Sequence, residues 1–227
     1  MVIGGFLKSS FIDYPDKIAA VIFTRGCNFR CPYCHNSELL DGQGGWMSRE
    51  DLMEQIRGRI RYLDGLVVSG GEPTLHRDLP EFLAELRETG LSLKLDTNGT
   101  APGMLKYLLE EGRVDYVAMD VKAPFSSYGR VAGSLVNIRD IEKSVELLMA
   151  GPVPYEFRTT VARELLSPED LEELAGDIRG ADRYVLQRFR DSEGVLVGEG
   201  KFSAYGPAEM QEMAEKMSGH FRQVVVR

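Results

Sequence analysis

Six apolar runs of strand length alternate along this chain with segments of helical periodicity. The runs occupy residues 18–24, 66–69, 91–95, 116–119, 155–161 and 184–187, and a further β-like run lies at 221–226. Continuous apolar runs are typical of strands buried on both faces of a parallel sheet, which needs right-handed crossovers through the intervening helices. Six such units are too few for a closed barrel of eight strands. The order therefore predicts an α/β fold with mostly parallel strands, either an open partial barrel or a doubly wound sheet.

Short polar motifs follow the first four predicted strands. A cysteine run follows the first strand, and the segments 69–72 (SGGE), 96–99 (DTNG) and 120–122 (DVK) follow the next three. Because parallel strands end at the same edge of a sheet, these motifs are expected to lie close together. The sequence therefore predicts one site at the carboxyl edge of the sheet.

All three cysteines of the chain, Cys27, Cys31 and Cys34, lie in one C-x₃-C-x₂-C run. Three interpretations are open at this point. A redox site would need only Cys31 and Cys34 as a C-x-x-C pair. A structural zinc site wants four ligands, and the fourth would be His76 or, less readily, His35. A 4Fe–4S cluster held by three thiolates would leave one iron open to a substrate or cofactor.

Charge and composition narrow the class of protein. The chain has 227 residues, and its 27 Lys and Arg against 35 Asp and Glu give a net charge of −8. An acidic balance of this kind disfavours a nucleic-acid partner. No apolar run approaches the ~20 residues that span a bilayer, and the first residues lack a secretion signal. We therefore expect a cytoplasmic protein, folded as one domain over 1–227, with no membrane partner.

The cysteine run has Tyr33 before its third cysteine, and 69–73 (SGGEP) follows the second strand. Together they resemble the motifs of the radical S-adenosylmethionine (SAM) superfamily. The resemblance covers essentially the whole chain and implies a partial (β/α)6 TIM-like barrel with a cluster loop over 25–46. It implies that Cys27, Cys31 and Cys34 hold a 4Fe–4S cluster and that SAM binds the open iron. No catalytic residue beyond the cluster and SAM is implied.

Three segments narrow the resemblance to activating proteins of glycyl radical enzymes: 10–15 (SFIDYP), 31–36 (CPYCHN) and 96–99 (DTNG). They are most similar to the group that acts on anaerobic ribonucleotide reductase, while 120–122 (DVK) is similar to the D-x-K of formate-lyase activases. The resemblance implies a glycyl radical enzyme as partner and a flavodoxin or ferredoxin as electron donor. Activation of another glycyl radical enzyme, or modification of a peptide, is the alternative.

One position departs from the pattern of that group. The usual Ile-Asp-Tyr-Pro-Gly has Asp16 in place of its glycine. Asp tolerates a left-handed backbone better than most residues. We therefore expect the replacement to have little consequence.

The resemblance also implies which side chains meet SAM and a monovalent cation. The implied SAM contacts are Tyr33, His35, Gly70, Gly71, Glu72, Asp96, Asn98, Asp120, Lys122, Arg158 and Gln187. The implied cation ligands are Asp96, Thr97 and Asp120.

Roles follow for some of these residues. Glu72 would accept from the SAM ammonium, and Gly70 and Gly71 would let the backbone approach the ligand closely. Lys122 and Arg158 would pair with the carboxylate or ribose side of SAM. Each assignment has an ordinary alternative, because aspartates also cap loops and basic side chains also form ion pairs within the protein.

Overall fold

The strands of the computed structural model lie in one eight-stranded sheet, in the chain order β1 to β8. The structure describes residues 1–41 and 47–227, and residues 42–46, the end of the predicted cluster loop, lie outside the described residues. The strands are β1 Ile3–Ser10, β2 Ala19–Thr24, β3 Gly65–Gly70, β4 Ser92–Thr97, β5 Tyr116–Asp120, β6 Tyr155–Val161, β7 Arg183–Arg188 and β8 Gln223–Val226. The helices are α1 Arg49–Arg57, α2 Leu79–Arg87, α3 Pro102–Glu110, α4 Tyr128–Ala132, α5 Ile138–Ala150, α6 Pro168–Asp177 and α7 Pro207–Met217.

Strands β2 to β8 run parallel, each pairing with its neighbour along the chain. Strand β1 pairs antiparallel with β2, so β1 and β8 are the two edges of the sheet. The prediction of an α/β fold with mostly parallel strands is confirmed. The sequence does not predict β1, because Gly4 and Gly5 lower its strand propensity and pairing with β2 overrides that preference.

Local sequence explains where two of the helices begin. The Ser48 hydroxyl accepts from the backbone N–H of Asp51 at 3.0 Å and caps α1. At α6, Ser167 and Asp170 form a reciprocal capping box, with hydrogen bonds of 2.8 and 3.2 Å. No helix among the described residues is long and apolar enough to cross a membrane.

The two faces of the sheet differ in chemistry. On β4, Leu93 and Leu95 belong to the large apolar core formed with the helices. The alternate residues Lys94 and Asp96 point to the opposite, inner face, because side chains alternate along a strand. A small apolar cluster around Tyr14 fills only part of that inner face. The rest of the inner face is therefore available to polar side chains.

The segment after β1 packs against the beginnings of other strands. The centroids of the Tyr14 and Tyr116 rings lie 5.7 Å apart. A Cβ on Gly65 would lie 2.9 Å from the Tyr14 ring. Burial raises the pKa of Tyr14 to about 12, and the charge of Asp115 adds to this shift. Two residues later Asp16 has φ +59°, so the left-handed turn expected at this position is present.

Substitution of the exposed Asp16 should report the strain of that turn. Asp16→Val is expected to lower the free energy of unfolding by about 1–2 kcal/mol, because a β-branched residue bears the full cost of left-handed backbone. Asp16→Gly is expected to stay within about 1 kcal/mol of wild type, because relieved strain and added unfolded-state entropy offset each other. Urea unfolding of the three proteins measures both differences. A valine variant as stable as wild type would contradict the assignment.

Candidate active site

The cysteine loop (described residues 25–41) follows β2 and is held by backbone hydrogen bonds. The Gly26 N–H donates to the Leu39 carbonyl at 2.7 Å, and the Arg30 N–H donates to the Ala132 carbonyl at 2.9 Å. A Cβ on Gly133, which has φ +60°, would lie 2.1 Å from the Arg30 carbonyl oxygen. Only glycine therefore fits at the end of α4, where it allows the loop to pack closely.

One cavity of about 220 Å³, the cysteine cavity, is lined by all three cysteines. The same cavity is lined by every residue for which a SAM or cation contact is predicted: Tyr33, His35, Gly70, Gly71, Glu72, Asp96, Thr97, Asn98, Asp120, Lys122, Arg158 and Gln187. It is also lined by residues that the sequence does not single out, among them Phe29, Leu40 and Thr160. The structure thus brings the predicted residues together, while their contacts with SAM and a cation stay predictions.

The thiols and one orphaned hydroxyl give this cavity the chemistry of a cluster site. All three cysteines are free of disulfides. Burial raises the pKa of Cys27, and it raises that of Cys31 to about 11, so both are thiols at neutral pH until a metal displaces their protons. The buried Tyr33 hydroxyl has no hydrogen-bond partner among the described residues. Three soft sulfur donors that line one cavity fit a 4Fe–4S cluster.

The zinc alternative finds less support in the geometry. The His76 ring nitrogen lies 2.8 Å from the Arg25 carbonyl oxygen, which gives this side chain a partner within the protein. Across residues 1–41 and 47–227, no three His, Cys, Asp or Glu side chains are placed to hold one metal ion. The redox alternative leaves Cys27 without a role, although Cys27 lines the same cavity as the other two cysteines.

The two glycines at the end of β3 make close backbone contacts within the protein, and their approach to SAM stays a prediction. A Cβ on Gly70 would lie 2.3 Å from the backbone nitrogen of Thr24, and Gly70 has φ +118°. A Cβ on Gly71 would lie 2.1 Å from the carbonyl oxygen of Gly26. Glycine is therefore required at both positions for the backbone of the β3 turn to meet the backbone that follows β2.

Glu72 joins the loops that follow β3 and β4. Its carboxylate is 1% exposed and accepts from the Thr74 N–H at 3.0 Å and the Thr74 hydroxyl at 2.5 Å. It also accepts from the Thr97 hydroxyl at 2.7 Å and the Asn98 N–H at 2.5 Å. Burial raises the pKa of Glu72, against the effect of these donors. The visible role of Glu72 is to fix the two loops, and its contact with the SAM ammonium stays a prediction.

A chain of ion pairs joins the carboxyl ends of β4, β5 and β6 on the inner face of the sheet. The Arg158 guanidinium lies 2.8 Å from Asp120 and 3.3 Å from Asp96. Lys94 contacts Asp96 at 2.5 Å, and Lys122 contacts Asp120 at 3.0 Å. Of these ion-paired residues, Lys122 and Arg158 line the cysteine cavity, together with the carboxylates Asp96, Asp120 and Glu72. The aspartates hold the two cations where a ligand carboxylate could pair with them.

The same ion pairs determine whether the predicted ligands are free to bind a monovalent cation. Burial is the largest single effect and alone would raise the pKa of Asp96 and Asp120. Arg158 together with the neighbouring lysines outweighs it, so the pKa of Asp96 is lowered and that of Asp120 falls to about 2. Burial alone would lower the pKa of Lys122, but Asp120 together with Tyr33 and Cys31 raises it above its ordinary value. The guanidinium thus occupies the place between the two aspartates, and the Thr97 hydroxyl donates to Glu72. The monovalent cation stays a prediction without a vacant set of ligands to support it.

Two features of the site are not anticipated by the sequence. Lys94 is fully buried beside Asp96, and the only signal is that the two polar residues are spaced two apart in a strand. The loop after β7 covers the cysteine loop: Leu196 N–H donates to the Cys34 carbonyl at 3.0 Å, and the His35 ring contacts the Arg190 carbonyl. The His35 ring also lies 5.4 Å from the Phe189 ring. Such long-range loop contacts leave no local pattern.

The close approach at Gly71 should be intolerant of a methyl group. Gly71→Ala is expected to lower the free energy of unfolding by about 1–3 kcal/mol, because overpacked backbone must move apart. The matched control is Gly103→Ala in α3, where a Cβ meets nothing within 4 Å. That control is expected to be neutral or stabilising by up to about 1 kcal/mol. Equal unfolding midpoints in urea for both variants would contradict this packing.

Removal of Arg158 should destabilise the protein in a pH-dependent way. Arg158→Met leaves two buried carboxylates undercompensated, and the expected loss at pH 7 is about 3–5 kcal/mol. The pKa of Asp120 is about 2 in the folded protein and 3.8 ordinarily, so its stabilisation is present above pH 3.8 and is lost as pH falls through 2. The difference between wild type and variant should therefore shrink as the pH falls below 4.

Urea unfolding at pH 7 and at pH 3.5 measures that difference. Arg163→Met is the control, because Arg163 pairs with Glu209 at the surface, and it should change stability little at either pH. A loss of stability in Arg158→Met that is the same at both pH values would show that Asp120 does not depend on Arg158.

Sequence comparisons show which known proteins this chain is similar to. The family model for the radical SAM superfamily matches residues 21–178. A protein of Methanocaldococcus jannaschii, named as a glycyl-radical enzyme activating enzyme, is 32% identical over 100% of this chain and 95% of its own length. The pyruvate formate-lyase-activating enzyme of Clostridium pasteurianum is 33% identical over 49% of this chain and 48% of its own length.

Solved structures share the fold. SuiB of Streptococcus suis bound to S-adenosylmethionine has a TM-score of 0.69 at 15% identity, covering 91% of this chain and 49% of SuiB. The enzyme anSMEcpe with bound AdoMet has a TM-score of 0.55 at 22% identity, covering 72% of this chain and 48% of that chain. The chain thus spans about half the length of these solved chains, and the likeness supports the partial TIM-like barrel. The chain therefore belongs to the radical SAM superfamily, whose enzymes use a 4Fe–4S cluster and S-adenosylmethionine.

Proposed function

We propose that this chain is a radical SAM activase that generates a glycyl radical on anaerobic (class III) ribonucleotide reductase. The observation that carries the proposal is the three-cysteine run within a chain that is similar over its whole length to a glycyl-radical enzyme activating enzyme. The segments 10–15, 31–36 and 96–99 support the reductase as target. The similarity to a pyruvate formate-lyase-activating enzyme supports another glycyl radical enzyme as the alternative target.

The residues of the cysteine cavity have distinct tasks in this function. Cys27, Cys31 and Cys34 would hold the cluster, and no fourth cysteine exists to occupy its remaining iron. Lys122 and Arg158 supply positive charge toward the SAM carboxylate. When bound, the cluster and SAM would supply one-electron reductive cleavage of SAM, driven by a flavodoxin or ferredoxin, and so the capacity to remove a hydrogen atom from the glycine.

A glycine is a suitable hydrogen donor for a site of this shape. It has no Cβ, so its backbone can extend into a buried cavity that would exclude bulkier residues. We expect such a segment to enter across the open side of the sheet, between its two edge strands β1 and β8. The protein therefore has to admit a flexible loop of a larger partner.

The cofactor chemistry is tested by anaerobic reconstitution, chemical reduction and measurement of 5′-deoxyadenosine formed from SAM. Wild type is expected to retain about four irons per chain and to form the nucleoside. Cys27→Ala, Cys31→Ala and Cys34→Ala should each lose iron and nucleoside formation, since every thiol is a ligand. A Cys27→Ala variant with full activity would favour the redox pair, and a zinc-loaded, iron-free wild type would sink the proposal.

The target is tested by incubating the active protein separately with a class III ribonucleotide reductase and with pyruvate formate-lyase. A glycyl radical signal in electron paramagnetic resonance should form on the reductase and vanish when its C-terminal radical glycine is replaced by alanine. The control is the same mixture without SAM. A signal on the formate-lyase alone would overturn the reductase as target and leave the activase chemistry intact.

A further inference from the structure

A second cavity, of about 500 Å³, adjoins the cysteine cavity at the open side of the sheet. Ile12 and Asp13, which follow edge strand β1, line it on one side, and Arg227, which follows edge strand β8, lines it as well. It shares His35 and Arg158 with the cysteine cavity. A ligand in this second cavity would therefore lie directly beside the reaction site.

Four arginines line this second cavity, which we call the arginine pocket: Arg158, Arg188, Arg190 and Arg227. Two of them are neutralised within the protein, Arg158 by aspartates and Arg227 by Glu156 at 3.3 Å. Asp13 is the one acidic side chain among the described lining residues. The side chains of the pocket are therefore basic on balance, in a chain whose net charge is −8.

The other two arginines have guanidinium nitrogens that pair with no described residue. Arg188 is exposed and donates only its Nε, to the Tyr205 carbonyl at 2.7 Å, among the contacts within the described chain. Arg190 is also exposed, and its side chain has no ion pair or hydrogen bond with any described residue. Neither residue lines the cysteine cavity, so their charge is directed at something other than the ligand of that cavity. Paired arginines of this kind recognise carboxylates or phosphates through charge-assisted hydrogen bonds.

The rim of the arginine pocket is apolar and exposed. Ile12, which lines the pocket, is 69% exposed, and the preceding residue Phe11 is 76% exposed. Phe11 itself lines a separate groove with Ile18 and Tyr62, both of which are exposed. A small anion would leave this apolar surface in water, whereas a peptide with an acidic and an apolar side chain covers both parts.

We propose that the arginine pocket binds a carboxylate side chain of the peptide segment whose hydrogen atom is taken in the cysteine cavity. The inference rests on the proposed function, because it assigns the substrate segment an acidic residue near its reacting glycine. Arg188 and Arg190 are then specificity-determining residues, and the exposed Ile12 contacts a neighbouring apolar side chain of the segment.

The test compares two capped heptapeptides with a central glycine and a neutral fluorophore, one with glutamate on both sides of the glycine and one with glutamine. Binding to the reconstituted protein with SAM is followed by fluorescence anisotropy. The glutamate peptide is expected to bind about tenfold more tightly, as for charge-assisted hydrogen bonds. The preference should fall as the salt concentration rises.

Matched double variants locate the effect. Arg188→Gln with Arg190→Gln should abolish the preference, while Arg139→Gln with Arg179→Gln removes the same charge at exposed positions outside the pocket and should retain it. Equal affinities of wild type for both peptides, or a preference that survives loss of Arg188 and Arg190, would overturn the proposal. Binding of inorganic phosphate without any peptide preference would also overturn it and leave a small-anion site.

The failure of this inference can be told from failure of the proposed function. Nucleoside formation by wild type without any peptide reports on the radical chemistry alone. Absence of that nucleoside would sink the activase, whatever the peptides do. Normal nucleoside formation with no glutamate preference would sink only the arginine pocket as a substrate site.

Discussion

The structure depends on one constraint: a parallel sheet ends all of its strands at the same edge. The loops after β2, β3 and β5 carry the cysteines, Glu72 and Lys122, and β4 ends with Asp96 and Thr97. The sheet brings these residues around one cavity although they are far apart in the chain. Backbone contacts then set the spacing. Gly71 lets the β3 turn approach Gly26, and Glu72 joins that turn to the loop after β4. The cavity is thus held by the protein's own hydrogen bonds.

The buried charges of the inner face are hard to explain by stability alone. Removing two or three charges from water costs several kcal/mol each, and apolar residues of similar volume often stabilise a core equally well. Yet Lys94, Asp96 and Arg158 occupy positions that apolar side chains could fill. Asp96 and Asp120 hold Arg158 where it lines both the cysteine cavity and the arginine pocket. We read the ion pairs as the device that fixes this shared arginine in place.

The sequence predicts the order of strands, the edge at which the site lies and the residues gathered there, because hydrophobic period and strand ends are local signals. It also anticipates the left-handed turn at Asp16. Strand β1 carries no such local signal, because its stability comes from pairing with β2 and not from its own composition. The contacts of Gly70 and Gly71, the partner of Lys94 and the cover over His35 all depend on chain segments distant in sequence. No local pattern encodes which distant backbone a glycine will meet.

The central claim is that three cysteines hold a cluster with one iron free for SAM. The most direct measurement is the electron paramagnetic resonance spectrum of the reduced, reconstituted protein with and without SAM that carries oxygen-17 in its carboxylate. We predict that SAM changes the cluster spectrum and that the labelled oxygen shows hyperfine coupling to it. A cluster signal that SAM leaves unchanged, with no coupling to the label, would contradict the account.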